Sequence, residues 1–289
     1  MKSFGAGLIS TLLKLYPEQT AEKTEESLKA ALAKGEKKPE APKKIVSRYE
    51  DNEYGRIFYA NEKDSAQNVI FYIHGGAYTI EINAQHWQLI EKLIRNTDSL
   101  VIAPAYRLAP FGTYKEAFEL ILPVYKDYCA KYPDNKIILM GDSAGGGLCV
   151  AISEYCKAEG IRLPDELILI SPWVDAAMDS KEIREYESDD PVLTIPYLSV
   201  CAKSWAGDLD LHDWHISPIY GDLKGINNVT IFTGTSELFY PDINRFFDLL
   251  DKSGSNELII GEEMFHIYPL FPIKEAESAF KKIVEKILR

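Results

Sequence analysis

The chain has 289 residues, 46% of them hydrophobic and 11% aromatic, enough to bury one large core or one core with an appended cap. Its formal net charge of -12 argues against a nucleic-acid partner, because a phosphate backbone would be repelled rather than neutralised. The four cysteines, Cys129, Cys149, Cys156 and Cys201, show no Cys-x-x-Cys spacing and read as small apolar packing residues, which suits a reducing cytoplasm.

Phe4 to Leu13 is mostly apolar and follows Lys2, as the start of a secretion signal would. Gly5, Gly7, Ser10 and Thr11 interrupt it and no small-residue cleavage site follows closely, so a surface helix is the expectation. The run Pro17 to Lys44, rich in Glu, Lys and Ala, reads as a solvated helical face, and residues 1–46 together as N-terminal cap helices. No stretch reaches the roughly 18 to 20 apolar residues of a membrane span, so a soluble protein is expected.

From residue 47 to 289 the pattern changes to short β-branched and aromatic runs alternating with helical stretches. That alternation predicts an α/β fold with a mostly parallel sheet and helices on both faces. Strands are expected at Ile57–Ala60, Val69–Ile73, Leu100–Pro104, Ile137–Met140, Leu167–Ile170, Val229–Thr233 and Leu258–Ile260. Helices are expected at Gln85–Ile94, Lys115–Ala130, Gly146–Ala158, Asp242–Asp251 and Lys274–Leu288. Between strands, Asp175 to Pro218 is too long for an ordinary connection. With Trp173 before it, and Tyr186, Tyr197, Trp205 and Trp214 within it, it reads as a cap insertion at about residues 176–217 whose aromatic side chains line an acyl pocket.

Gly141-Asp142-Ser143-Ala144-Gly145 carries the chemistry. It joins an apolar strand to a helix, the context in which a sharp turn holds a serine out toward a substrate carbonyl. A serine hydroxyl is a weak nucleophile and needs a histidine to take its proton, with a carboxylate to hold that histidine's tautomer. Of five histidines only His266 follows every expected strand and lies in a loop before the last helix. The acid comes from the loop after the Val229 strand, as Glu237 or Asp242. Pro241 makes Asp242 look like a helix N-terminal residue, so Glu237 is favoured and Asp242 is the alternative. The side-chain-free loop His74-Gly75-Gly76 follows another strand and would let backbone amides reach a developing oxyanion. Gly75, Gly76 and Ala144 are the expected donors, with His74 an orienting residue. The spacing of Asp210, His212, Asp213 and His215 could contact a metal, but such a cluster is more often solvated surface, and no metal or cofactor is expected.

His74-Gly75-Gly76, Tyr106-Arg107-Leu108-Ala109-Pro110, Gly141-Asp142-Ser143-Ala144-Gly145-Gly146, Ser171-Pro172-Trp173 and His266 together resemble the hormone-sensitive-lipase-type family of α/β-hydrolases. The resemblance covers about residues 66–289. It implies an eight-stranded α/β-hydrolase core, a helical cap built partly from the N-terminus, no metal, and serine esterase cleavage of short-acyl carboxylic esters. The chain departs from the family pattern at Ala77, where Gly is frequent, at Phe111, where an acidic residue is usual, and at Glu237, where most relatives have Asp. An amidase or formamidase would use the same groups, and a receptor of this fold would bind a small molecule without turnover. The assembly state is left open, a homodimer included.

Overall fold

Alternation along the strands builds two cores on one sheet. On the strand Asn68–Ile73, residues Val69, Phe71 and Ile73 join one buried cluster while Ile70 and Tyr72 join the other, as the two-residue period of a pleated strand requires. The computed structural model describes residues 2–15, 19–63, 66–252 and 254–289. Pro17 and Glu18, which open the expected polar run, lie outside the described residues.

The strands are β1 (Val46–Asn52), β2 (Gly55–Ala60), β3 (Asn68–Ile73), β4 (Leu100–Tyr106), β5 (Lys136–Asp142), β6 (Glu166–Ile170), β7 (Val229–Gly234) and β8 (Glu257–Gly261). They form one eight-stranded sheet in the order β1-β2-β4-β3-β5-β6-β7-β8. β1 and β2 pair antiparallel, as do β2 and β4, and every other pair is parallel. β1 was not expected from the sequence: it is an edge strand of polar, mostly exposed residues with no apolar alternation to announce it.

The helices are α1 (Phe4–Leu13), α2 (Ala21–Lys34), α3 (Ala84–Thr97), α4 (Tyr114–Lys131), α5 (Ala144–Ala158), α6 (Ile183–Tyr186), α7 (Ile195–Ala206), α8 (Tyr240–Leu249) and α9 (Lys274–Leu288). α3 and α9 cover one face of the sheet; α4, α5 and α8 cover the other. Capping boxes at Asn83 with His86 and at Thr113 with Glu116 satisfy the orphan amides that open α3 and α4. No described helix is long and apolar enough to cross a membrane.

The N-terminal segment is fastened at both ends. The Ser3 amide and hydroxyl both donate to Glu275 of α9, at 2.6 and 2.8 Å. α2 packs against α7, the Thr194 hydroxyl donates to the Gln19 carbonyl at 2.7 Å, and Arg107 Nε meets Glu36 at 3.0 Å.

Candidate active site

The register of β3 on β5 places Ile73 opposite Gly141, so the His74-Gly75 loop and the Asp142-Ser143 turn leave the sheet side by side. Parallel strands deliver their following loops to one end, and the loops after β7 and β8 bring Glu237 and His266 to that same end.

Ser143 has φ 51° and ψ -123°, a strained backbone for a residue with a Cβ. The strain is held by three backbone bonds: the Ser143 amide donates to Ile170, and its carbonyl accepts from Gly147 and Trp173. Glycine is required around it. A Cβ on Gly145 would lie 2.1 Å from the Ile73 carbonyl oxygen, and one on Gly75 would lie 2.4 Å from Asp142 Oδ2. Ser143 is also the N-cap of α5, where unpaired amides and the helix dipole favour negative charge.

His266 Nε2 lies 2.9 Å from Ser143 Oγ, and His266 Nδ1 lies 2.9 Å from Glu237 Oε2. The tautomer that satisfies both contacts donates from Nδ1 to the carboxylate and accepts the serine proton at Nε2. Glu237 is fully buried, and its other oxygen accepts from the Thr233 hydroxyl and, at 3.1 Å, from the Gly234 amide. Phe239 packs edge-on against the His266 ring at 5.2 Å. The Ile267 amide donates to Ser171 Oγ at 3.0 Å, fixing the chain that carries the histidine.

The alternative acid stands elsewhere. Asp242 accepts from Ser180 at 3.3 Å and lies 3.7 Å from Arg245, on α8, while the bond from His266 Nδ1 runs to Glu237. Burial pushes the Asp242 carboxyl up to about 7, with Asp175 beside it adding to the shift.

The expected oxyanion donors differ in how their amides are bonded. The Gly75 amide donates to Asp142 Oδ1 at 3.2 Å, so its hydrogen is already engaged. The amides of Gly76, Ala77 and Ala144 have no backbone or side-chain acceptor among the described residues. Gly76 and Ala77 have φ 116° and 49°. Asp142 is buried, also accepts from Tyr72 at 2.5 Å, and lies 3.4 Å from His86 Nε2. Burial alone would raise its carboxyl, but His86 and the Tyr72 hydroxyl hold it below the usual range. His74 opens the loop after β3. Its Nδ1 donates to the Gly75 carbonyl at 2.8 Å, its ring stacks on Tyr106, and burial lowers it to about 4, which keeps the ring neutral.

The aromatic residues expected to line a pocket mostly pack. Trp205 stacks on Tyr78 at 4.2 Å, Tyr78 on Trp173 at 5.6 Å, and Trp173 on Phe239 at 5.7 Å, a ladder that runs from α7 to the ring touching His266. Trp214 stacks on His215, and Tyr186 meets Tyr240. Tyr197 alone of the five lines the large cavity of about 1140 Å³ between α2, α7 and the loops after β3 and β4. Ser143 and His266 do not line that cavity, whose wall includes Thr79, Ile80, Glu81 and the buried Asp190. Asp190 is a residue the sequence reading missed. Its carboxylate accepts from the Leu238 amide at 2.8 Å, beside Glu237, and from Val192 and Leu193, and the Asp189-Asp190-Pro191 turn was its only sequence signal. Asp210, His212, Asp213 and His215 pair locally, His212 with Asp210 and Asp179 and His215 with Asp213. No group of three or more metal-ligating side chains is gathered among the described residues.

Residues 70–270 match the family model described as the alpha/beta hydrolase fold. The chain belongs to the α/β-hydrolase family. Hormone-sensitive lipase of Mus musculus is 27% identical over 145 residues, 48% of this chain and 19% of that protein. An esterase of Acinetobacter venetianus is 34% identical over 191 residues, 65% of this chain and 63% of that protein. An acetyl-hydrolase of Streptomyces hygroscopicus is 28% identical over 202 residues, 69% of this chain and 67% of that protein. A solved structure from Staphylococcus aureus superposes with a TM-score of 0.86 at 27% identity, covering 96% of this hydrolase and 95% of that chain.

Proposed function

We propose that this α/β-hydrolase is a serine carboxylesterase that cleaves short-acyl esters through an acyl-enzyme intermediate. The relay Ser143–His266–Glu237, with both contacts at 2.9 Å and the serine on a strained turn, carries the reading. Similarity to proteins named esterase and acetyl-hydrolase supports the same chemistry.

In this mechanism Ser143 Oγ attacks the ester carbonyl while His266 Nε2 takes its proton. Glu237 holds the imidazole tautomer and stabilises the imidazolium that forms. The carbonyl oxygen becomes an oxyanion held by the amides of Gly76, Ala77 and Ala144, the last at the N-terminus of α5. His266 passes its proton to the leaving alcohol, then takes one from the water that releases the acyl group. α2, α6 and α7 act as the cap that limits access to this end of the sheet.

Chromogenic acetyl, butyryl and octanoyl esters test the proposal with the wild type and Ser143→Ala. Turnover that falls with chain length and drops at least about a thousandfold in the variant is the expected result. A folded wild type inert to all three would overturn it.

A further inference from the structure

The acid loop is tied down on both sides of Glu237. On one side the Ser236 amide donates to the Met264 carbonyl at 2.8 Å, two residues ahead of His266. On the other the Leu238 amide donates to Asp190 Oδ2 at 2.8 Å. Leu238 and Asp190 are both buried, so without that carboxylate the amide next to Glu237 would be a buried donor with no partner. The other oxygen of Asp190 accepts from the amides of Val192 at 2.7 Å and Leu193 at 2.9 Å, in the turn that leads to Thr194, the N-cap of α7. One carboxylate thus joins the start of α7 to the loop that carries Glu237.

We propose that Asp190 is a positioning residue for the triad: through the Leu238 amide it keeps the Glu237 carboxylate on His266 Nδ1. The assignment rests on the esterase reading above. Thr233 and Gly234, which hold Glu237 Oε1, both belong to β7 and restrain the acid from the upstream side. Asp190 restrains it from the downstream side, where the chain runs on through Phe239, the ring that packs on His266. Precision matters here, because the Glu237 contact with His266 is 2.9 Å long and a displacement of about 1 Å can cost about a hundredfold in rate. Three N–H donors suit an ionised Asp190; burial raises its carboxyl, and His266 opposes that shift.

Asp190→Asn separates the two ends of this carboxylate. The amide oxygen can keep the two bonds from Val192 and Leu193, which leaves an NH2 group against the Leu238 amide. The test measures how fast diethyl 4-nitrophenyl phosphate labels Ser143 in the wild type, Asp190→Asn, Glu237→Gln and the double variant, each at a temperature where a thermal melt shows it folded. Asp190→Ala takes the place of Asp190→Asn should the latter not fold. The substitution should slow labelling about tenfold in the wild-type background and less than about twofold in the Glu237→Gln background, since a residue that acts through Glu237 then has nothing left to position. A merely structural role would slow both backgrounds by the same factor. Equal factors, no slowing in the wild-type background, or failure of both Asp190 variants to fold overturns the assignment alone. A wild type that takes up no label overturns the esterase reading, and the assignment with it.

Discussion

Gly75 gives its amide hydrogen to Asp142 Oδ1 at 3.2 Å, so the first glycine after His74 is bonded to the residue just before Ser143. That bond ties the loop after β3 to the serine turn. The amides of Gly76 and Ala77, by contrast, have no acceptor among the described residues.

Gly75→Ala should disrupt this tie, since its Cβ would meet the Asp142 carbonyl oxygen at 2.6 Å and Ser143 Cβ at 3.0 Å. Overpacking of this kind costs about 1–3 kcal/mol, a fall in Tm of several degrees for a chain of this size. Ester turnover should fall at least about tenfold with it. A thermal melt and an initial-rate assay on the same sample check both.

Glu237→Gln should lower kcat by about a hundredfold to ten-thousandfold, because the amide no longer enforces the imidazole tautomer. Asp242→Asn, which alters a carboxyl of α8 that accepts from Ser180, should retain turnover within a few-fold. The reverse pattern in parallel assays would transfer the acid role to Asp242.

Trp205→Ala removes the fully buried end of the aromatic ladder and should destabilise the fold by about 3–5 kcal/mol, read by denaturant unfolding. Trp205→Phe should cost much less, since the indole nitrogen has no partner to lose.

Glu154 gives a pH signature away from the site. Both its oxygens are buried without partners, and burial pushes its carboxyl up to about 9. The unfolded chain would titrate near about 4.5, so the group's contribution is fully present below that pH. It is lost as pH rises toward 9, because the unfolded state releases the proton first. The Tm difference between wild type and Glu154→Gln should therefore move in favour of the variant from about pH 5 to pH 9. A difference independent of pH would contradict the shift.

Seven of the eight strands were legible as apolar runs, and the expected α9 boundaries, Lys274 to Leu288, coincide with the observed ones. Those elements bury a continuous stripe or face, so their pattern survives in one dimension. β1 does not, because an exposed edge strand needs no apolar side chains. The sequence places Ser143 in a Gly-x-Ser-x-Gly turn and puts Glu237 and His266 in loops after later strands, and the contacts at 2.9 Å bring these three side chains together because parallel strands send their loops to one end. The bond from the Gly75 amide was not legible, because nothing local says that Asp142, 67 residues away, reaches it. Asp190 was missed for the same reason: its role depends on contact with Leu238, which lies 48 residues on.

The central claim is that Ser143 is a nucleophile activated by His266, and reaction with diethyl 4-nitrophenyl phosphate tests it most directly. Intact-mass and peptide analysis should show one diethylphosphoryl group per chain, located on Ser143, with no label on Ser143→Ala and at least about hundredfold slower labelling of His266→Ala. Labelling at another residue, or equal labelling of the Ser143→Ala protein, would contradict the account.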